Sequence, residues 1–237
     1  MPYGLITTPT EKLARPFGDR ISKESISQQA YAAIRASLMR SRLRPGQKLV
    51  ARQVAAELGI SVTPVRESLL RLVSENALAL DERGTVMVPE LDFARSIEIR
   101  DLRILLEGDG AARAASLVTE ADIAALAATH ERYLKTEGSK DFAAALEENE
   151  NFHFGLCRLA RSPVLFSIVQ NLWIQFGPVL SYLYDGRSKP FHGQTHGHVL
   201  VLDALRRRDP EMARKAIGDD ILIGGSALLD KLPKTGV

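Results

Sequence analysis

The chain has 237 residues, 45% hydrophobic and 25% charged, with a formal net charge of +2 and a single cysteine. That length suits two domains of a globular protein, and the lone cysteine excludes an internal disulfide and fits a reducing cytoplasm. No apolar run approaches the roughly 18 residues of a membrane span, and residues 1–20 read as a flexible tail without the apolar centre of a secretory signal.

Charge is unevenly placed. Residues 1–90 carry 13 Lys/Arg against 9 Asp/Glu, whereas 91–237 carry 18 against 20; within 31–71 the ratio is eight to two. A local basic excess on a near-neutral chain points to a polyanionic partner for that segment. Within it, residues 25–43 set Ile26, Ala30, Ala33, Ile34 and Leu38 on a helical period, and "RPGQK" stops the helix. Ala51 to Leu58 predicts a short second helix ended by Gly59, the residue that most easily takes a left-handed cap. Thr63 is then a good N-cap and Pro64 a good first residue for a third helix running to about Glu75. "LAL" and "VMV" around "DERGT" predict a hairpin. Three helices and a hairpin over 21–90 make a winged helix-turn-helix, with 91–95 as linker.

Arg66 is the anomaly in that segment. It stands where a capping box would carry Glu or Gln, at the end of a helix dipole that disfavours a cation. In a helix-turn-helix the second helix of the pair enters the major groove with its N-terminal residues at the base edges. Arg66 is therefore the candidate for bidentate contact with guanine, with Ser61, Thr63 and Pro64 beside it at bases or phosphates. Arg52 and Arg71, and Arg83 and Gly84 in the wing, are candidates for the phosphate backbone. The alternative is a surface pair of Arg66 with Glu67 or Glu75.

From residue 96 the pattern is helical only, with helices expected at 96–117, 120–136, 140–160, 163–184, 192–208 and 210–231 and a kink at Gly177-Pro178. The fold class is mainly α: an N-terminal winged helix-turn-helix and, over 96–232, an all-α six-helix bundle. Asn149 and His153 share a helix face with Phe142, Leu146 and Leu156. His198 lies on a stripe with Val201, Leu202 and Leu205, and Asp220 with Ala213, Ala216 and Ile217. Two imidazoles and a carboxylate on three converging helices suit a first-row transition metal. Cys157, four residues after His153, is a candidate fourth ligand that reads better as a small buried thiol, and His192 and His196 read as solvated, with His196 a reserve ligand. No inward carboxylate beside the metal stands out as a general base. Arg103, in a mostly apolar helix, either snorkels to the surface or clamps an effector carboxylate.

"RLRPGQKLVARQVAAELGISVTPVRESLLRLVSENALAL" followed by "RGTVMV" resembles the winged-helix domain of GntR-family bacterial regulators. "RDLRILLEGDGAARAA", "NENFHFGLCRLARSPVL" and "HVLVLDALRRRDPEMARKAI" resemble the helical FCD effector domain of the FadR branch. The resemblance spans about 25–222 and departs at Val62, where many relatives carry a DNA-contacting arginine. It implies a metal held by an Asp or Asn, a His four residues on, and two later His. Asn149, His153 and His198 match the first three, and Asp220 stands at the fourth. The function expected is a transcription regulator, a repressor acting as a cytoplasmic homodimer on double-stranded operator DNA. It would sense a small carboxylate effector through a divalent metal of the Zn, Ni or Mn class. The rival is a metal-dependent enzyme with an accessory winged helix, which lacks H-E-x-x-H, a phosphate loop or a nucleophile elbow.

Overall fold

The computed structural model describes residues 26–184, 196–229 and Leu232. Helices α1 (Ile26–Met39), α2 (Ala51–Leu58) and α3 (Val62–Ser74) come first, then strands β1 (Ala79–Leu80) and β2 (Val86–Met87). α1 stops short of residue 43 because Ser41 takes a positive φ of 53° ahead of the Pro-Gly turn. Gly59 has φ 66° and closes α2 with its N–H on the last-turn carbonyls.

α3 begins at Val62, so its N-cap is Ser61 and not Thr63. Pro64 is then the third helical residue. It has no N–H for the Ser61 hydroxyl to cap, and Ser61 makes no cap bond. Arg66 accordingly sits in the second turn, beyond the capping-box position. The hairpin pairs Ala79 with Met87 and Leu80 with Val86, and Lys48 bridges to Met87 on the outer side. At its tip the Asp81 carboxylate accepts from the N–H groups of Arg83 and Thr85 at 3.0 and 2.8 Å, and Gly84 supplies φ 74°.

The remaining elements are α4 (Phe93–Leu117), α5 (Glu120–Gly138), α6 (Phe142–Leu159), α7 (Pro163–Phe176), a 3-10 segment (Gly177–Tyr184), α8 (Gly197–Arg207) and α9 (Pro210–Leu229). Asp92 caps α4 by accepting from Arg95 N–H, so Phe93 to Arg95 are helical and the expected linker is shorter than 91–95. The expected kink at Gly177-Pro178 is a change from α to 3-10 geometry, since Pro178 cannot donate to the turn before it. Residues 192–195, expected to open the fifth helix of the bundle, lie outside the described residues.

Two apolar clusters hold the molecule. One lies inside the bundle, where Ala111, Ala114 and Ala115 of α4 meet Ala213, Ala216 and Ile217 of α9, with Phe152, Leu156, Leu202 and Leu205 alongside. The other runs without a break from Leu38, Val65, Leu69, Leu72 and Val88 to Leu165, Val169, Trp173 and Phe176. The winged helix is thus docked on α7 through buried side chains. Pro163–Leu180 is long and apolar enough to cross a membrane by composition, contrary to expectation, but Leu165, Val169, Leu172, Trp173, Phe176 and Val179 fill this shared core. Gly177 makes the approach possible. A Cβ there would lie 2.5 Å from the Leu38 carbonyl oxygen and 2.7 Å from Met39 Cα. The Ser41 hydroxyl donates to the Gly177 carbonyl at the same point.

Candidate nucleic-acid interface and candidate metal centre

At the start of α3, Ser61, Thr63 and Arg66 are exposed and Pro64 is half-buried. The first-turn N–H groups of any helix lack intrahelical partners and form an anion-binding end. The two carboxylates that could have claimed Arg66 are engaged elsewhere. Glu67 accepts from Ser27 at 2.6 Å, and Glu75 accepts from Tyr31 at 2.6 Å and from Arg71 at 3.0 Å. Among the described residues no ion pair involves Arg66. Arg52 is exposed on α2, and Arg83 and Gly84 are exposed at the wing tip. Arg71 differs from expectation: its guanidinium lies 3.8 Å over the Tyr31 ring and pairs with Glu75, turned back onto α1.

The bundle gathers a histidine cluster. α6 supplies His153 (2% exposed), α8 His198 (0%), α9 Asp220 and α5 His130, while His196 is the N-cap of α8. His153 Nε2 lies 3.2 Å from Asp220 Oδ2, and His198 Nε2 lies 4.0 Å from the same oxygen. His198 stacks on Phe152 with ring centroids 3.7 Å apart, which fixes its plane. Its Nε2 is buried and has no hydrogen-bond partner among the described residues. A buried imidazole nitrogen left without a partner costs free energy unless something fills its place. Asp220 packs on the start of α8, where a Cβ on Gly197 would sit 2.4 Å from Asp220 Oδ1.

Behind His153 stands a second layer. Its Nδ1–H donates to Glu107 Oε2 at 2.7 Å, which turns Nε2 toward Asp220 and His198. Glu107 also accepts from Arg103 Nε at 2.7 Å and from Trp173 Nε1 at 3.0 Å, and the Arg103 guanidinium lies 4.1 Å over the Trp173 ring. Carboxylate–imidazole pairs of this kind fix the tautomer and raise ligand basicity. Burial alone would raise the Glu107 carboxyl, but Arg103 and His153 hold it at about 2. Burial opposes charge on His153, yet Glu107 and Asp220 outweigh it and lift the ring to about 9. Burial and the neighbouring imidazoles push His198 well below its ordinary value, and burial lowers His196 to about 4.

The structure brings together His153, His198 and Asp220 as the spacing predicted. Asn149 is half-buried one turn earlier on α6, and no hydrogen bond ties it to the cluster among the described residues. Cys157 is fully buried, with its thiol pKa pushed up by burial, as a packing residue should be. His196 is not a solvated loop histidine, since it lies 3.6 Å from Asp220 through Nδ1. His192 lies outside the described residues. Arg103 does not snorkel: it is 5% exposed and its Nε is committed to Glu107, so it positions that carboxylate instead of standing free as an effector clamp. No unclaimed inward carboxylate stood out from the sequence; Glu107 is an inward carboxylate beside the cluster, claimed by Arg103, His153 and Trp173. His130 was also missed, although Ile123, Leu126, His130 and Tyr133 recur on the buried face of α5. For Glu107 the signal was the i, i+4 spacing from Arg103.

Comparison with known proteins agrees with both halves. Residues 26–88 match "Bacterial regulatory proteins, gntR family" and residues 98–221 match "FCD domain". The HTH-type transcriptional regulator McbR of Escherichia coli K12 is 31% identical over 206 residues, 86% of this chain and 93% of that protein. The transcriptional repressor RspR of the same strain is 24% identical over 82% of this chain and 85% of its own length. The Glc operon transcriptional activator, also of that strain, is 25% identical over 76% and 79%. The solved structure "E. coli McbR/YncC" superposes with a TM-score of 0.83 at 30% identity, covering 88% of this chain and 99% of that one. A GntR regulator from Rhodococcus sp. RHA1 shares the fold with a TM-score of 0.71 at 19% identity. The chain is a DNA-binding transcriptional regulator of the GntR family, a winged helix-turn-helix followed by an FCD domain, and not an enzyme.

Proposed function

We propose that the protein binds operator DNA as a cytoplasmic homodimer and that its FCD domain senses a small carboxylate through a divalent cation held by His153, His198 and Asp220. The observation that carries the cation is the buried Nε2 of His198, which has no hydrogen bond among the described residues and lies 4.0 Å from the Asp220 oxygen that His153 Nε2 approaches at 3.2 Å. The donor set fits: two imidazoles and one carboxylate suit zinc, nickel or manganese. Asn149 enters only as the residue that the family resemblance sets four before His153. A bound cation would supply an open coordination position for a ligand carboxylate. The protein's own residues do the rest. Glu107 holds His153 in its tautomer, Phe152 fixes the plane of His198, and the start of α8 packs on Asp220.

Coupling to DNA has a route along α6. Three residues before His153, Glu150 pairs with Arg40 just beyond α1 at 3.5 Å, and Arg40 also pairs with Glu147 at 3.0 Å. A shift of α6 on ligand binding would pull on the helix that frames α3. A dimer is supported by Leu102 and Leu105, one turn apart on α4 and exposed at 41% and 63%, apolar surface a second copy would cover. We read operator binding as repression relieved by ligand. The named relatives include a repressor and an activator, so a promoter-reporter assay fixes that sign. Selection from a random duplex library should return a two-fold-related site, and elemental analysis of the purified protein should find a transition metal. A monomer with no sequence preference, or protein that takes up none of zinc, nickel or manganese, would overturn the corresponding half of the reading.

A further inference from the structure

His198 has two ring nitrogens, and each faces its own group of donors. Nε2 faces His153 and Asp220. Nδ1 lies 3.3 Å from His130 Nδ1. His196 completes the second group: its ring centroid is 4.2 Å from that of His198 and 5.5 Å from that of His130. Ligand atoms of His130, His196 and His198 all lie within 4.8 Å of one another, as do those of His153, His198 and Asp220. The two sets share His198, and His196 of the second also lies 3.6 Å from Asp220 of the first.

We propose that this domain has a second cation position, on the Nδ1 side of His198, formed by His130, His196 and His198. Its ligands are three imidazoles with no carboxylate. That composition selects a borderline first-row ion such as Zn²⁺ or Co²⁺ over Mg²⁺ or Ca²⁺. The spacing fits. Two nitrogens each about 2.0–2.1 Å from one tetrahedral ion sit about 3.3–3.4 Å apart. His130 and His198 already hold that span. Tyr133 closes one side, with its ring 4.8 Å from His196 and 5.5 Å from His198. The protons balance at His198. A neutral imidazole carries one N–H, so an ion at either nitrogen alone leaves that proton on the other. Filling both positions releases it to solvent and makes His198 a bridging imidazolate.

The competing account gives His130 a smaller part, as the hydrogen-bond partner that fixes the His198 tautomer as Glu107 fixes His153. Ion stoichiometry separates the two. Apo protein would be titrated with Zn²⁺ and with Co²⁺, reading bound metal after gel filtration and the visible Co²⁺ bands. The expected result is two ions per chain for wild type, one for His130→Phe, one for His153→Ala and none for His198→Ala. His130→Phe keeps a ring between Tyr133 and Phe152. His196→Gln, at a less buried position, serves as a second variant that should also bind one ion. One ion per chain in wild type, lost in His153→Ala and unchanged in both His130→Phe and His196→Gln, would overturn the second position and leave the first intact. One ion retained in His153→Ala but lost in His130→Phe would support the second position and overturn the first. Wild type that binds no ion would overturn both.

Discussion

Gly177→Ala tests how the winged helix is joined to the sensor. Gly177 has helical φ and ψ of −51° and −47°, so intrinsic propensity favours alanine there by about 1 kcal/mol. Packing opposes it. The new methyl would sit 2.5 Å from the Leu38 carbonyl oxygen, 2.7 Å from Met39 Cα and 2.9 Å from the Met39 oxygen, all backbone atoms that cannot swing away. Ordinary contacts begin near 3.4 Å, so α1 must retreat by almost 1 Å from the α7 junction. Overpacking of this kind costs about 1–3 kcal/mol. The retreat also strains the Ser41 bond to the Gly177 carbonyl and opens the core between Leu38 and Val179. The steric cost should outweigh the propensity gain, with a net loss of up to about 2 kcal/mol and faster proteolysis in the turn after α1. Thermal unfolding and limited proteolysis of wild type and variant would measure it. A variant as stable as wild type, with α1 equally protected, would refute the docked arrangement.

Three other outcomes follow from the same contacts. Arg66→Ala should cost about 1–3 kcal/mol of specific binding and relax preference at one base pair per half-site, whereas Arg83→Ala should weaken all sequences alike and flatten the salt slope in fluorescence anisotropy. The metal-free protein should lose stability as pH rises. His153 is raised to about 9, so its contribution is complete below about 6.5 and lost through 9; Glu107 is lowered to about 2, so its contribution is present above about 4.5 and lost only in strong acid. Melting curves should therefore fall between pH 6.5 and 9, and Glu107→Gln should lower stability by about 3 kcal/mol and flatten that fall. Arg40→Ala should leave ion binding intact while reducing the ligand's effect on DNA affinity by about 0.5–2 kcal/mol, read from operator titrations with and without ligand.

The winged helix was legible because its signals are local. Gly59, the proline-glycine turn and the "DERGT" hairpin each force a backbone feature from adjacent residues alone. The N-cap of α3 was placed two residues late because Thr63-Pro64 mimics a start signal, while the helix can begin earlier at no cost when its third residue lacks an N–H. His153, His198 and Asp220 were found because each breaks an apolar stripe. His130 and Glu107 break stripes too, but His130 adjoins charged residues and Glu107 has Arg103 four before it. Each has a surface explanation that only tertiary packing removes. The docking of α1 on α7 depends on Gly177 meeting backbone 138 residues away at Met39, and no short-range pattern encodes that.

The central claim is that ligand binding at the His153, His198 and Asp220 site is felt at the operator. Its most direct test is one titration series: operator affinity of metal-loaded wild type, metal-stripped wild type, His153→Ala and His198→Ala, each across a panel of small carboxylates. The account predicts that at least one carboxylate weakens operator binding by metal-loaded wild type about 5–150-fold, the range of a coupling of about 1–3 kcal/mol. The stripped protein and both variants should bind the operator normally without ligand and respond to none of the panel. Variants or stripped protein that release DNA at the same ligand concentration as loaded wild type would contradict it.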